Sequence, residues 1–224
     1  MAQLTVNHIS LYYELVGPAE GEPVVFLSGL TGDHNNWTLQ VNRLKDRYRC
    51  LTLDWRDTGN SGPSPVEQYS IRDMAGDVAG LIRALDLGKS HLIGLSMGGA
   101  VAQEVALTYP ELVASLVLAS TFCERPMPVE VPADKRTPGN LRQSAAVKVH
   151  DTGDRLHLIT VPVLVVAGSR DKSTTPESQY ALASWLPDAR YELIQGAGHL
   201  LHLEKAGEFN RLVQAFLEVN PIQC

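Results

Sequence analysis

Cysteine is scarce in this chain: Cys50, Cys123 and Cys224 are the three in 224 residues. They are too few and too scattered for a disulfide framework or a metal cluster. Cys50 sits in the apolar run Tyr48-Arg49-Cys50-Leu51-Thr52-Leu53 and reads as a small core residue. Positive charge is also short. Lysine and arginine number 19 against 25 acidic residues, a net charge of −6. Without a basic run or a basic amphipathic helix, neither nucleic acid nor an anionic membrane is an expected partner. No apolar run approaches the roughly 18 residues of a membrane span, and the first residues lack the basic stretch and apolar core of a secretory signal. The expectation is a cytoplasmic protein. Internal repeats, low-complexity tracts and linkers are missing too. The length and an apolar content of 44% suit one domain over 1–224 with its own core.

What is present is a regular alternation. Residues 2 to 16 read as an antiparallel hairpin turning at Asn7-His8. Short Val/Leu/Ile runs follow at Val24–Leu27, Cys50–Leu53, His91–Leu95, Leu116–Ala119, Val163–Ala167 and Tyr191–Ile194. Amphipathic stretches near 36–46, 70–86, 97–109, 176–187 and 203–219 lie between and after them. Strands alternating with helices predict an α/β fold: a mostly parallel twisted sheet with helices on both faces, plus the N-terminal hairpin. One segment breaks the pattern. From Phe122 to about Leu141, Pro126, Pro128, Pro132 and Pro138 interrupt any periodicity, so this is an irregular excursion, with helix resuming near Asn140 towards His150.

The most informative motif is Gly94-Leu95-Ser96-Met97-Gly98, placed between an apolar strand and a small-residue helix. That context predicts a nucleophile elbow, a sharp turn that holds a serine hydroxyl at the carboxyl end of a parallel sheet. With 18 glycines in the chain, the pentapeptide alone arises by accident in roughly one chain in ten, so its flanks matter. A serine hydroxyl needs a base, and histidine is the natural one. Of seven histidines, His199 has the best address, after Gly196-Ala197-Gly198 at the end of a strand. His8, His91, His150, His157 and His202 suit surface or packing roles. So does His34, although the loop after Gly29 is expected to border the same crevice. Asp171, closing the run from Val163 to Arg170, is the expected orienting carboxylate; its bland alternative is a turn former or helix cap before Pro176. The order Ser96, Asp171, His199 is the one expected for this arrangement. The backbone N–H groups of Met97 and Leu30 are the candidate oxyanion donors.

These residues resemble the α/β-hydrolase superfamily. The matching pieces are Leu27-Ser28-Gly29-Leu30, Asp54 through Ser61, Gly94 through Gly99, Gly168-Ser169-Arg170-Asp171 and Gly198-His199. The nearest resemblance is to small bacterial esterases, 3-oxoadipate enol-lactonases and cofactor-free haloperoxidases. There are departures: Ser28 stands where that family usually has histidine, and Asp57 where it commonly has glycine. The excursion from Phe122 to about Asp151 is much shorter than the family's multi-helix cap, which normally supplies half of the substrate pocket.

The leading expectation is a serine hydrolase that cleaves a small-molecule carboxylic ester or lactone through an acyl-enzyme, with 122–151 as a short lid and no metal or organic cofactor. Peroxide-dependent chemistry or carbon–carbon bond hydrolysis on the same triad are alternatives. A ligand sensor on a hydrolase body is another. Phe122, Cys123 and Trp55 suit either a pocket border or the core. Arg125, Arg136 and Arg142 read as solvated charge, with substrate-carboxylate recognition as the alternative.

Overall fold

Eight strands form one sheet in the order β1-β2-β4-β3-β5-β6-β7-β8 in a computed structural model that describes residues 2–124 and 130–222. Arg125 and Cys224 lie outside the described residues. The strands are β1 (Ala2–Val6), β2 (Ile9–Val16), β3 (Pro23–Leu27), β4 (Arg49–Leu53), β5 (Ser90–Leu95), β6 (Val113–Ala119), β7 (Val163–Gly168) and β8 (Ala189–Ile194). β1 and β2 pair antiparallel, and β2 meets β4 antiparallel. All the remaining pairs are parallel. The hairpin turns on Asn7 and His8, both at positive φ, with Val6 opposite Ile9. Two central residues at positive φ give the mirror-image turn that matches strand twist.

Alternation along the central strands sorts their side chains into two cores. Val25, Leu27, Leu92, Leu116, Leu118, Val163 and Val165 point to one face. There they meet α2 (Ile71–Ala84), α3 (Met97–Thr108) and α5 (Pro176–Ser184). Val24, Phe26, Ile93, Leu95, Val117, Leu164 and Val166 point to the other, against α1 (Thr38–Leu44) and α7 (Ala206–Val219). α3 is buried from Met97 to Ala106, its polar Gln103 and Glu104 included.

Three boundaries differ from the sequence reading. The amphipathic stretch at 203–219 is two helices, α6 (Leu201–Glu204) and α7, broken at Lys205. Glu204 turns back to accept from the amides of Gly198 and Leu200, at 2.7 and 3.3 Å. A 3₁₀ turn (His34–Trp37) precedes α1, so the helix proper starts later than expected. α4 (Pro138–Lys148) begins slightly earlier than expected, capped by Thr137 with Pro138 in its first turn. Pro132 and a 3₁₀ turn at Ala133–Lys135 precede it, within the irregular excursion.

That excursion is tied back to the body at both ends. Gln103 and Glu104, buried on α3, face it. Gln103 Nε2 donates to the Phe122 carbonyl at 2.9 Å, and Thr152 donates to Gln103 Oε1 at 2.6 Å and to the Cys123 carbonyl. Arg155 grips Glu104 with two nitrogens, at 3.1 and 2.6 Å. Among the described residues no helix is long and apolar enough to cross a membrane.

Candidate active site

Ser96 joins β5 to α3 with φ +52° and ψ −118°, a conformation in which an L-residue is strained. Holding such a residue costs about 1 to 3 kcal/mol and needs surroundings that enforce it. Here they do. Ser96 N–H donates to the Ala119 carbonyl at 2.9 Å, and the Thr121 hydroxyl donates to the Ser96 carbonyl at 2.7 Å. The glycines are required by space: a Cβ at Gly94 would overlap the Gly98 carbonyl, and one at Gly98 would overlap the Leu27 carbonyl on the neighbouring strand. The turn exists only because strand and helix approach backbone to backbone.

β7 and β8 place the other two groups. Asp171 follows β7, and His199 follows β8. Their loops are cross-linked by Arg170 N–H to the Ala197 carbonyl, at 2.8 Å, and by Gly196 N–H to Ser169 Oγ, also at 2.8 Å. His199 Nδ1 lies 2.8 Å from Asp171 Oδ2. Asp171 also accepts the Thr174 hydroxyl at 2.8 Å and the amides of Ser173 and Thr174 at 2.8 and 3.1 Å. Burial alone raises the Asp171 pKa, but the bonds from His199 and Thr174 outweigh it and hold the carboxyl below its ordinary range. The helix-cap alternative for Asp171 does not describe it, because Thr175 caps α5.

Ser96 and His199 open onto one cavity of about 530 Å³. Gly29, Leu30 and Thr31 border it from the loop after β3; Phe122, Pro132 and Lys135 come from the excursion, Lys172 to Thr174 from the loop after β7, and Leu200 and Leu203 from the region of α6. A Cβ placed on Gly29 would sit 3.4 Å from the Ser96 Cβ, so the loop carrying Leu30 lies directly against the serine. Met97 is the first residue of α3, where N–H groups lack helical partners. All five residues singled out by the sequence, Leu30, Ser96, Met97, Asp171 and His199, therefore gather at the carboxyl ends of β3, β5, β7 and β8, as open parallel sheets place their ligand sites.

The other histidines are elsewhere. Burial pushes His150 and His202 down to about 4 and also lowers His91. His8 and His157 are exposed. His34 does not reach the site cavity: it faces a separate one of about 210 Å³ and bonds to the buried Asp54 at 2.7 Å. The loop after Gly29 does border the site, as expected, while its histidine points away. Trp55 is core, donating to the Ser28 carbonyl at 3.1 Å. Cys50 and Cys123 are buried thiols pushed up to about 12, chiefly by burial. Phe122 serves both as core and as cavity wall. Arg142 is partly exposed and paired, its Nη1 donating to both oxygens of Asp57 at 3.2 Å. Asp57 itself has φ +66°, the conformation that makes glycine common at this position. Arg136 donates to the Val131 carbonyl.

Several supporting residues carry no sequence motif. Gln179 on α5 accepts from Thr121 N–H and donates to the Thr174 carbonyl at 2.8 Å, linking the elbow's support to the Asp171 loop. Glu204 brackets His199 through its bonds to the amides of Gly198 and Leu200.

The alpha/beta hydrolase fold family matches residues 22–145 and 139–206, and the chain belongs to it. It is a hydrolase. Similar proteins include RutD of Variovorax paradoxus, classed as a carbamate hydrolase, 30% identical with 92% of this chain and 96% of that protein covered. The enol-lactonase of Burkholderia xenovorans superposes with a TM-score of 0.87 at 25% identity, over 97% of this chain and 100% of that one. An esterase from Thermogutta terrifontis gives 0.84 at 25% identity, over 98% and 99%. The RutD alignment runs over 254 positions, more than the 224 residues here, so this chain lacks residues that its relative has. The two family matches overlap at 139–145, within α4.

Proposed function

We propose that this hydrolase cleaves a carboxylic ester or lactone by acyl transfer. Ser96 attacks the carbonyl carbon while His199 Nε2 takes its proton; Asp171 holds the imidazole with Nδ1 protonated. The N–H groups of Leu30 and Met97 receive the oxyanion, a contact worth ~3 to 4 kcal/mol per donor in such sites. His199 returns the proton to the leaving oxygen, and water, activated by the same imidazole, releases the acid. The scheme calls on no metal or organic cofactor. Its substrate is a small molecule suited to a cavity of about 530 Å³. Residues 122–151 act as an abbreviated cap that contributes Phe122 to the cavity wall.

The observation that carries this reading is His199, held by Asp171 at 2.8 Å, opening onto the same cavity as a serine in a strained elbow. The enol-lactonase and esterase among its structural neighbours support an ester or lactone as the substrate. A panel of p-nitrophenyl esters and lactones, run with a fluorophosphonate probe, tests it. Wild type is expected to turn over short esters and to be labelled once, on Ser96. Ser96→Ala is expected to lose both while unfolding at the same denaturant concentration. Wild-type rates in that variant would remove Ser96 from the mechanism.

A further inference from the structure

The loop that brings Leu30 to the site is bent against its own preference. Gly32 N–H bonds the Gly29 carbonyl at 3.1 Å, closing a four-residue turn with Leu30 and Thr31 at its centre. Thr31 has φ +66°. Such a turn takes glycine or asparagine at that position, and a β-branched residue there is a genuine outlier. Left alone, this turn would relax, so something must hold each end.

Upstream, Trp55 Nε1 holds the Ser28 carbonyl. The side chain of Ser28, where the resembled family has histidine, contributes nothing: its hydroxyl is buried without a partner. Downstream, the grip is His34. Both its backbone N–H, at 2.9 Å, and its ring Nδ1, at 2.7 Å, meet the same oxygen, Asp54 Oδ1. Asp54 is fully buried, and its other oxygen accepts Asn60 N–H at 2.8 Å, so the carboxylate cannot swing away. The topology explains why this matters. β3 lies between β4 and β5, so its exit loop runs between Asp54, just past β4, and Ser96, just past β5. Asp54 grips the loop from one side while Gly29 rests on Ser96 at the other.

We propose that the His34–Asp54 pair is a positioning clamp: it keeps the strained Leu30–Thr31 turn in the shape that aims the Leu30 N–H at the oxyanion. The claim rests on the acyl-transfer reading above. His34 touches no substrate; it acts through the loop. It also differs from a general packing role in what it predicts, since a loosened oxyanion donor weakens binding of the transition state and leaves ground-state binding of the ester alone.

The test compares His34→Leu, which removes the ring donor, with His34→Asn, whose amide nitrogen can stand where Nδ1 stood. With a p-nitrophenyl ester, His34→Leu is expected to lower kcat by at least about tenfold with KM within about twofold of wild type, the signature of an interaction made in the transition state. A boronic acid, bound as a tetrahedral adduct, should weaken by a factor similar to the kcat loss. His34→Asn should recover most of it. Should His34→Leu fail to fold, His34→Gln replaces it, since its donor is displaced by one methylene; kcat should then fall in the order wild type, Asn, Gln. A wild-type kcat in His34→Leu, a loss carried by KM, or an Asn variant as damaged as Leu or Gln overturns the clamp. Ser96→Ala beside them separates the claims. Turnover that survives it refutes the nucleophile and the clamp with it; abolished turnover with an indifferent His34→Leu refutes the clamp alone.

Discussion

Asp171→Asn isolates the role of the carboxylate because the structure dictates how the amide must sit. Asp171 Oδ1 accepts two backbone N–H groups, from Ser173 and Thr174, at 2.8 and 3.1 Å. An asparagine must keep its oxygen there, since an NH₂ group would leave both donors unpaired in a buried site. The amide nitrogen then falls where Oδ2 lay, 2.8 Å from His199 Nδ1. It can only donate, so Nδ1 must become the acceptor and the ring proton moves to Nε2. That is the atom that has to take the proton of Ser96, so the base is lost with its position intact. The same exchange in a serine-protease triad costs ~10⁴ in kcat, or about 5.5 kcal/mol of transition-state stabilisation. Folding should lose only what the carboxylate's charge contributes, because the backbone bonds to Oδ1 persist. The assay is hydrolysis of p-nitrophenyl butyrate across pH, with urea unfolding in parallel. A variant within tenfold of wild type would refute the argument: another carboxylate would then have to orient His199.

Four further outcomes follow from the same geometry. Gly98→Ala drives a methyl group into the Leu27 carbonyl and to 2.7 Å from the Ser28 carbonyl, so it should destabilise the fold by at least about 3 kcal/mol, read as a lower urea midpoint. Arg56→Met strands Asp77, buried and held by two 2.7 Å bonds, and should cost about 3 to 5 kcal/mol in the same measurement. His150 and His202 are each at about 4 when folded, so the unfolded chain binds their protons first; stability should fall as pH drops from about 6.5 to about 4 and level off for these two groups below that. Replacing His202 with a neutral residue should flatten that limb. Asp171 works at lower pH: its folded pKa is depressed, so its contribution is complete above the ordinary carboxylate value and disappears as pH falls through the lower folded one, a dependence that Asp171→Asn should lack.

The parts of this structure that were legible beforehand are those that local pattern dictates. Runs such as Val24–Leu27 and Val163–Ala167 read as strands because both faces of a parallel strand are buried, and the Asn7-His8 turn read as a hairpin from two adjacent turn formers. The elbow was legible because Gly94 and Gly98 answer to a collision two residues either side of Ser96. What escaped depends on partners far away in sequence. Nothing around Gln179 announces that it will meet Thr121, and nothing around His34 that its ring will find Asp54 instead of the substrate crevice. The stop at Lys205 escaped as well, since the apolar period runs on through it.

Asp57 and Arg142 show how a departure from a family pattern can be read as structure. Glycine suits this position because φ is +66°, and an aspartate there carries strain that needs an offset. The offset is visible: its carboxylate accepts Ser64 N–H at 2.6 Å and both Arg142 contacts, and the backbone at Asp57 lies so close to Gly139 that a Cβ there would overlap the Asp57 carbonyl. Arg142 and Gly139 both belong to α4, the helix of the excursion. A glycine at 57 could not reach α4 with a charge. The substitution therefore fastens the outer helix to the loop after β4, while Gln103 and Glu104 fasten the two ends of the excursion to α3. Held at these places, the described residues of the excursion bring Phe122 and Pro132 to the cavity.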